Sequence, residues 1–157
     1  MKTPQDFMRR AIELSRRNMQ SGAGGPFGAV IVKNGQIVGE GWNKVTSTND
    51  PTAHAEVEAI RDACKNLGAF ELKDCELYTS CEPCPMCLAA TYWARIGSIY
   101  FGNNRADAAA VQFDDDFLYH EISKPLESRT VPIRPLLREE ALTVFAEWTA
   151  KLDKIRY

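Results

Sequence analysis

Two short stretches carry residue types that can bind a metal ion and do chemistry with it. The first is His54-Ala55-Glu56, and the second is a run in which Cys81, Cys84 and Cys87 recur at every third residue. Imidazole and thiolate are donors that zinc prefers in proteins. Three cysteines and one histidine would close a structural zinc site, whereas two cysteines and one histidine would leave one coordination position open for catalysis. The number of cysteine ligands therefore decides between a structural and a catalytic role.

A proline predicts where the helix beside the cysteines begins. Pro85 suits the first turn of a helix, which places Cys84 at its N-terminus and Cys87 one turn further on. Residues three apart share a helix face, so both sulfur atoms can reach one ion. The helix dipole and the exposed N–H groups favour thiolates at this end. We therefore predict Cys84 and Cys87 as ligands, whereas Cys81 precedes the helix and need not point the same way.

His54 and Glu56 are two residues apart, and in the middle of a helix such side chains point to nearly opposite sides. They converge only at a helix start, which Pro51 and Thr52 predict at this point. We expect His54 to complete a three-ligand zinc site in which water takes the fourth position. Glu56 would then be free to move protons.

A closed structural zinc site, in which Cys81 is the fourth ligand, is the non-enzyme alternative. It is less favoured because it leaves Glu56 and the flanking prolines without a role. The two remaining cysteines, Cys64 and Cys75, are predicted to be core residues.

Composition limits the class of protein. The 157 residues, of which 45% are hydrophobic and 25% charged, suit one globular domain. A net charge of −2 argues against a broad nucleic-acid-binding surface. The sequence has no apolar segment typical of a signal peptide or a membrane span, and its five cysteines suggest reduced thiols. We therefore expect a cytoplasmic protein that binds no membrane, with nucleic acid an improbable partner.

Local signals predict an α/β fold in which strands and helices alternate after an initial hairpin. Thr3-Pro4 predicts a helix start, and Asn34-Gly35 predicts the hairpin turn within residues 28–42. The later elements are expected to be a helix that stops at Gly68, a strand at 75–80, a helix at 85–96, a strand at 97–102, a proline-containing strand at 130–137 and a helix at 139–157. This order predicts a mixed sheet covered on both faces, in three α/β/α layers.

His-Ala-Glu followed by Pro-Cys-x-x-Cys resembles the motif of zinc-dependent nucleobase deaminases. With residues 24–32, 80–87 and 92–96, the chain is similar to the cytidine deaminase-like superfamily over nearly its whole length. The resemblance implies a five-stranded mixed sheet and one zinc ion per subunit with a bound water as nucleophile. It also implies that Glu56 takes a proton from that water and passes it to a ring nitrogen while ammonia leaves.

Within the superfamily the chain resembles the small bacterial guanine deaminases, which convert guanine to xanthine plus ammonia. The segments that carry this likeness are 24–30, 49–56, 80–87 and 113–115. The resemblance implies that Asp115 assists proton transfer around the leaving 2-amino group, with Asp114 as the less favoured neighbour. Asn43 follows the hairpin and is expected to hydrogen-bond a purine edge.

Three aromatic residues complete the predicted substrate site. Phe27 and Trp93 are expected to line the base pocket. The last residue, Tyr157, matches the short guanine deaminases, whose C-terminal segment closes over the active site. We expect one deaminase domain over residues 1–157, with a homodimer as the default expectation. Exchange of a segment of about 125–157 between subunits is a hypothesis, which the proline content of residues 124–135 favours because it suits an extended crossover.

Other substrates rank below guanine. Guanosine, or another aminated purine or triazine, shares most of these motifs, but the guanosine enzymes have a glycine where this chain has Gln112. A tRNA adenosine deaminase must hold an RNA loop through basic and aromatic groups, and this chain is mildly acidic. Cytosine or cytidine ranks last. Arg95 and Arg105 are assigned only surface or interface charge.

Overall fold

A computed structural model of the chain describes residues 2–113 and 115–157. These residues group into two compact units, one up to Leu118 and one from Tyr119 to Tyr157. The metal-binding and sheet residues all belong to the first unit. The expectation of a single domain over the whole chain stays a prediction.

The first unit begins with helix α1 and then alternates strands with helices. Its elements are α1 (Pro4–Ser21), β1 (Gly28–Lys33), β2 (Gln36–Trp42), α2 (Val45–Thr48), α3 (Ala55–Leu67), β3 (Cys75–Cys81), α4 (Pro85–Trp93), β4 (Ser98–Asn103) and α5 (Arg105–Ala110). Helix α6 (Asp116–Ser123) follows, then a 3₁₀ turn (Leu126–Ser128) and α7 (Arg138–Ala150). The order predicted from local signals is confirmed for the first unit.

Capping residues set the ends of the helices as predicted. Thr3 and Asp6 form a reciprocal capping box at the start of α1, and Pro4 occupies its first position. Gly22 and Gly68 adopt the left-handed conformation that ends α1 and α3. The C-terminal helix is shorter than predicted, because α7 stops at Ala150 and residues 151–157 are not helical.

The sheet has the strand order β2-β1-β3-β4. Strands β2 and β3 both run antiparallel to β1, and β4 runs parallel to β3, which confirms a mixed sheet. Asn34 and Gly35 both have positive φ in the β1–β2 turn, as a type I′ hairpin requires.

The expectation of a five-stranded sheet was wrong for the described residues, which form four strands. The predicted strand at residues 130–137 is not a strand. Pro132 and Pro135 offer no N–H group to a ladder, so this segment cannot pair as a regular strand along its length.

Alternating side chains of β1 face two helical layers. Val30 and Val32 pack with Phe7 and Leu14 of α1, whereas Ala29 on the opposite face packs with residues of α3. The three-layer α/β/α arrangement is therefore confirmed. Cys75 is buried in the second of these cores and Cys64 packs against it, which bears out the prediction that both are core residues.

Unit two is held locally by its own hydrogen bonds. The Glu121 carboxylate pairs with Lys124 and accepts the Thr130 backbone N–H at 2.8 Å. Within the described ranges, no helix combines the length and the apolar character needed to cross a bilayer.

Candidate active site

The N-termini of α3 and α4 bring the three predicted metal ligands together. His54 caps α3 and Cys84 caps α4, both with extended backbone, and Cys87 lies one turn into α4. The Nδ1 atom of His54 is 3.6 Å from the Cys84 sulfur and 3.5 Å from the Cys87 sulfur. All three ligand atoms lie within 4.8 Å of one another. One nitrogen and two sulfur donors at this spacing form a group suited to a zinc ion.

The interaction between the two thiol groups moves their pKa values in opposite directions. The hydrogen bond with Cys87, followed by the one with His54, lowers the pKa of the Cys84 thiol to about 4 against the effect of its burial. The same bond with Cys84 and burial raise the pKa of the Cys87 thiol. One thiolate is therefore favoured here without help, and a cation would supply the charge that a second thiolate needs. The donor set thus fits a zinc ion.

Cys81 does not belong to this group. It ends β3, and the cluster of mutually close metal-binding atoms among residues 2–113 and 115–157 comprises His54, Cys84 and Cys87. Burial raises the pKa of the Cys81 thiol to about 11, but it raises that of Cys87 as well, so the distinction between them rests on position. The geometry therefore favours the three-ligand site over the closed four-ligand alternative.

Glu56 lies in the first turn of α3, two residues beyond His54, and its side chain is 6% exposed. Burial is the main reason that the pKa of its carboxyl is raised. The neighbouring Cys87 thiol acts in the opposite direction and lowers the pKa of this carboxyl by a smaller amount. A carboxyl held in such a place can both accept and return a proton.

A cavity of about 580 Å³ opens beside these groups, which is large enough for a purine base. The predicted substrate contacts Phe27 and Asn43 and the predicted catalytic residue Asp115 line it, together with His54, Glu56 and Cys84. Phe27 meets Phe113 edge to face, with ring centroids 4.8 Å apart, and Phe113 also lines the cavity. One carboxylate oxygen of Asp115 is buried and has no hydrogen-bond partner within the described chain.

Asn43 is fixed by the backbone around it. Its side-chain oxygen accepts the N–H groups of Gly25 at 3.4 Å and Val45 at 3.2 Å. Since the oxygen is engaged in this way, the amide nitrogen is the group that Asn43 can offer to a ligand. A bound molecule would therefore present an acceptor to it.

Two predicted site residues, Trp93 and Tyr157, are not among the described residues that line this cavity. Trp93, at the end of α4, is 64% exposed. Tyr157 belongs to the second unit, where its side chain is 74% exposed. Asp114 lies outside the described residues. The roles assigned to these three residues stay predictions.

Arg105 has contacts that the sequence did not suggest. Its guanidinium lies 3.2 Å from a carboxylate oxygen of Glu82 and 3.6 Å from one of Asp116, and its backbone N–H donates to Glu82 at 3.0 Å. Glu82 lines the cavity, as do Cys81 and Cys84 on either side of it in the sequence. Its place between these two cysteines is the sequence signal that could have identified it as a site residue. Arg95 has a left-handed backbone, with φ of 61°, just after α4.

Comparisons with known proteins agree with this geometry. Residues 1–103 match the family model of the cytidine and deoxycytidylate deaminase zinc-binding region. Guanine deaminase of Bacillus subtilis is 54% identical over 153 residues, which cover 98% of each chain. An X-ray structure of guanine deaminase from Bacillus subtilis covers 99% of both chains, with a TM-score of 0.97 and 52% identity. The tRNA-specific adenosine deaminase of Aquifex aeolicus is 42% identical over 95 residues, which are 60% of this chain and 62% of that protein.

Proposed function

We propose, from the premise that the chain belongs to the cytidine and deoxycytidylate deaminase family of zinc-binding proteins, that it hydrolyses guanine to xanthine and ammonia. Guanine is proposed as the substrate because the similarity to the Bacillus subtilis guanine deaminase extends over nearly the whole chain. The family model ends at residue 103, but this match covers 98% of the chain and so includes most of what lies beyond. Asp115, which lines the cavity, belongs to that further part.

His54, Cys84 and Cys87 are the residues that would hold the zinc ion, one per chain. When bound by three protein donors, zinc acts as a Lewis acid that activates water near neutral pH. The convergence of the three donor atoms at two helix N-termini supports this assignment. The positive ends of both helix dipoles also favour the negative charge that develops during the reaction.

Glu56 is the proposed proton carrier. It accepts a proton from the attacking water and returns it to a ring nitrogen of the base. Burial, which raises the pKa of its carboxyl, suits a group that must hold a proton between these two transfers. Its position two residues from His54 keeps the carboxyl close to the metal-binding atoms.

Asp115 is the proposed second acid: it delivers a proton to the departing 2-amino group, which leaves as ammonia, and recovers a proton from the hydroxyl group that becomes the new carbonyl of xanthine. Burial raises the pKa of this carboxyl as well, which favours the protonated form that such a step needs. Asp114 is the less favoured candidate for the same role. The position of Asp115 in the lining of the cavity supports its role.

Asn43 and Phe27 are the proposed contacts with the base. The Asn43 amide nitrogen would donate to an acceptor on the purine edge, and the Phe27 ring would cover part of its apolar face. Trp93 and Tyr157 are retained as proposed contacts in a homodimer whose C-terminal segments are exchanged. A cytoplasmic location belongs to the same proposal, and the free thiols of all five cysteines support it.

Two variants test the chemistry of the site. Glu56→Gln should retain one zinc per chain and lose at least about 100-fold of ammonia release, because it keeps the shape of the side chain but cannot carry the proton. Cys81→Ser should also retain one zinc per chain, since its sulfur lies outside the ligand group. The measurements are metal content and ammonia release on purified protein. Loss of zinc from Cys81→Ser would instead support a closed structural site.

A substrate panel tests the choice of base. Guanine, guanosine, adenine, cytosine, cytidine and a tRNA anticodon stem-loop are each incubated with the zinc-loaded chain, and ammonia is measured. We expect turnover of guanine above the other five. Activity on the RNA alone would replace this proposal with that of a tRNA adenosine deaminase, the activity named for the Aquifex aeolicus relative.

A further inference from the structure

Asn18 is a buried polar residue in α1 that the proposed reaction does not use. Its side chain is 3% exposed. The amide nitrogen donates to the carbonyl oxygens of Gly25 and Asn43, each at 2.8 Å. Because both partners are acceptors, the amide orientation is set by the hydrogen bonds, with nitrogen toward them and oxygen away.

Both partners of Asn18 belong to the wall of the proposed substrate cavity. Gly24, Gly25 and Asn43 line it. The backbones of the two segments touch, since a Cβ atom on Gly24 would lie 2.2 Å from the Asn43 carbonyl oxygen. Asn18 thus joins the end of α1 to the glycine loop and to the residue that follows β2.

The same contacts determine how Asn43 presents its amide. The Asn43 side-chain oxygen accepts the N–H of Gly25, and the carbonyl of Gly25 is one of the two groups that Asn18 holds. The backbone of Asn43 is held by Asn18 directly. If these bonds were lost, the Gly25 N–H could move away and the Asn43 amide could turn its oxygen toward the ligand.

The Asn18 side chain is not optimised for stability alone. Its own oxygen is buried and finds no hydrogen-bond partner among the described residues. A buried acceptor without a partner lowers the stability of the fold. Asn18 lowers the stability of the fold in this way and also contacts two segments of the site, and a role in orienting those segments explains why it is there.

We infer that Asn18 is a positioning residue that holds Asn43 as a hydrogen-bond donor toward the base and thereby sets the affinity for guanine. The inference rests on the proposed function. Asn18 does not contact the reacting atoms, so its loss should weaken binding more than the chemical step. The zinc ligands lie on other helices, and metal content should not change.

The test compares Asn18→Leu, which keeps the approximate shape and removes both donors, with a matched control. Asn66→Leu is that control, because the Asn66 amide also joins a helix to a strand carbonyl, Val38 at 3.0 Å, and lies outside the cavity. We expect the KM for guanine to rise about 10-fold in Asn18→Leu with kcat within about 3-fold, and both constants to be unchanged in the control. Zinc content and thermal unfolding are measured on every variant.

A double-mutant cycle separates positioning from general loss of structure. If Asn18 acts through Asn43, Asn18→Leu should change KM by less than about 2-fold in an Asn43→Ala background. Binding of guanine to Glu56→Gln protein, in which the base is not consumed, should weaken by the same factor as KM. Where Asn18→Leu does not fold, Asn18→Ala takes its place, since it is smaller than Asn and also lacks both donors.

The outcomes distinguish this inference from the proposed function. An unchanged KM in Asn18→Leu, or equal effects with and without Asn43, overturns the positioning role and leaves guanine deamination in place. A chain without guanine turnover before any substitution overturns the proposed function and this inference with it.

Discussion

Two carboxyl groups in one cavity illustrate what single residues contribute. Glu56 and Asp115 come from different parts of the chain, and burial raises the pKa of both. Nearby negative charge acts in the same direction, because a Cys84 thiolate raises the pKa of each carboxyl. A purine deaminase that moves protons at two places needs two such groups, and the cavity offers one beside the metal-binding atoms and one on a separate segment.

Replacement of Asp115 tests its role directly. Asp115→Asn should lower kcat for guanine by about 100-fold or more, because the amide cannot supply a proton to the leaving group. Zinc content should stay at one per chain. The control is Asp107→Asn, an exposed carboxylate that caps α5 and does not line the cavity. Equal activities of the two variants, measured by ammonia release, would remove Asp115 from the mechanism.

At the scale of elements, the position of α3 depends on two glycines of β2. A Cβ atom on Gly41 would lie 2.1 Å from the Ala55 carbonyl oxygen, and one on Gly39 would lie 2.6 Å from that of Ala59. These are backbone atoms and cannot rotate away. Helix α3 therefore sits directly on β2, and its first turn, which carries His54 and Glu56, is placed by that contact.

Gly41→Ala should consequently damage both stability and the metal site. Such overpacking costs about 3 kcal/mol, which for a chain of this size lowers Tm by about 6 °C or more. The control is Gly35→Ala, where φ is +74° but no atom lies within 4 Å, so only backbone strain of about 1 kcal/mol is expected. Thermal unfolding and zinc content are the measurements, and a smaller loss of Tm in Gly41→Ala than in the control would contradict this account of α3.

At the scale of the whole molecule, each unit exposes large apolar side chains. Tyr92 and Trp93 are exposed in the first unit, and Leu136, Phe145 and Leu152 are exposed in the second. Where large exposed apolar side chains are contiguous, they are typical of association surfaces. They support the proposed homodimer, although exchange of the C-terminal segment remains a prediction.

Complementation between two inactive chains tests that exchange. One chain carries Glu56→Gln and the other lacks Tyr157, and the two are co-purified through different tags. If the C-terminal segment serves the partner's site, one of the two sites in the mixed dimer has both Glu56 and Tyr157, so about half of the unmodified activity returns. If the segment serves its own chain, the mixed dimer stays as inactive as its parents. Light scattering on the same samples reports whether dimers form.

The sequence by itself determined the features that depend on neighbouring residues. Pro85 set the start of α4, so Cys84 and Cys87 could be predicted as ligands from their spacing within one helical turn. Asn34-Gly35 specified the hairpin for the same reason, since turn type follows from which residues tolerate positive φ. These are local effects, and a linear sequence contains all that is needed to predict them.

Only the tertiary structure decided the features that depend on distant partners. Asn18 and Asn43 are 25 residues apart, and Arg105 and Glu82 are 23 apart, so no local pattern announces their contacts. Cys81 has the same spacing as the two ligands, yet the end of β3 keeps it out of their group. The prediction of five strands was wrong for a similar reason. A strand exists only where a neighbouring strand pairs with it, and pairing is a property of the folded chain.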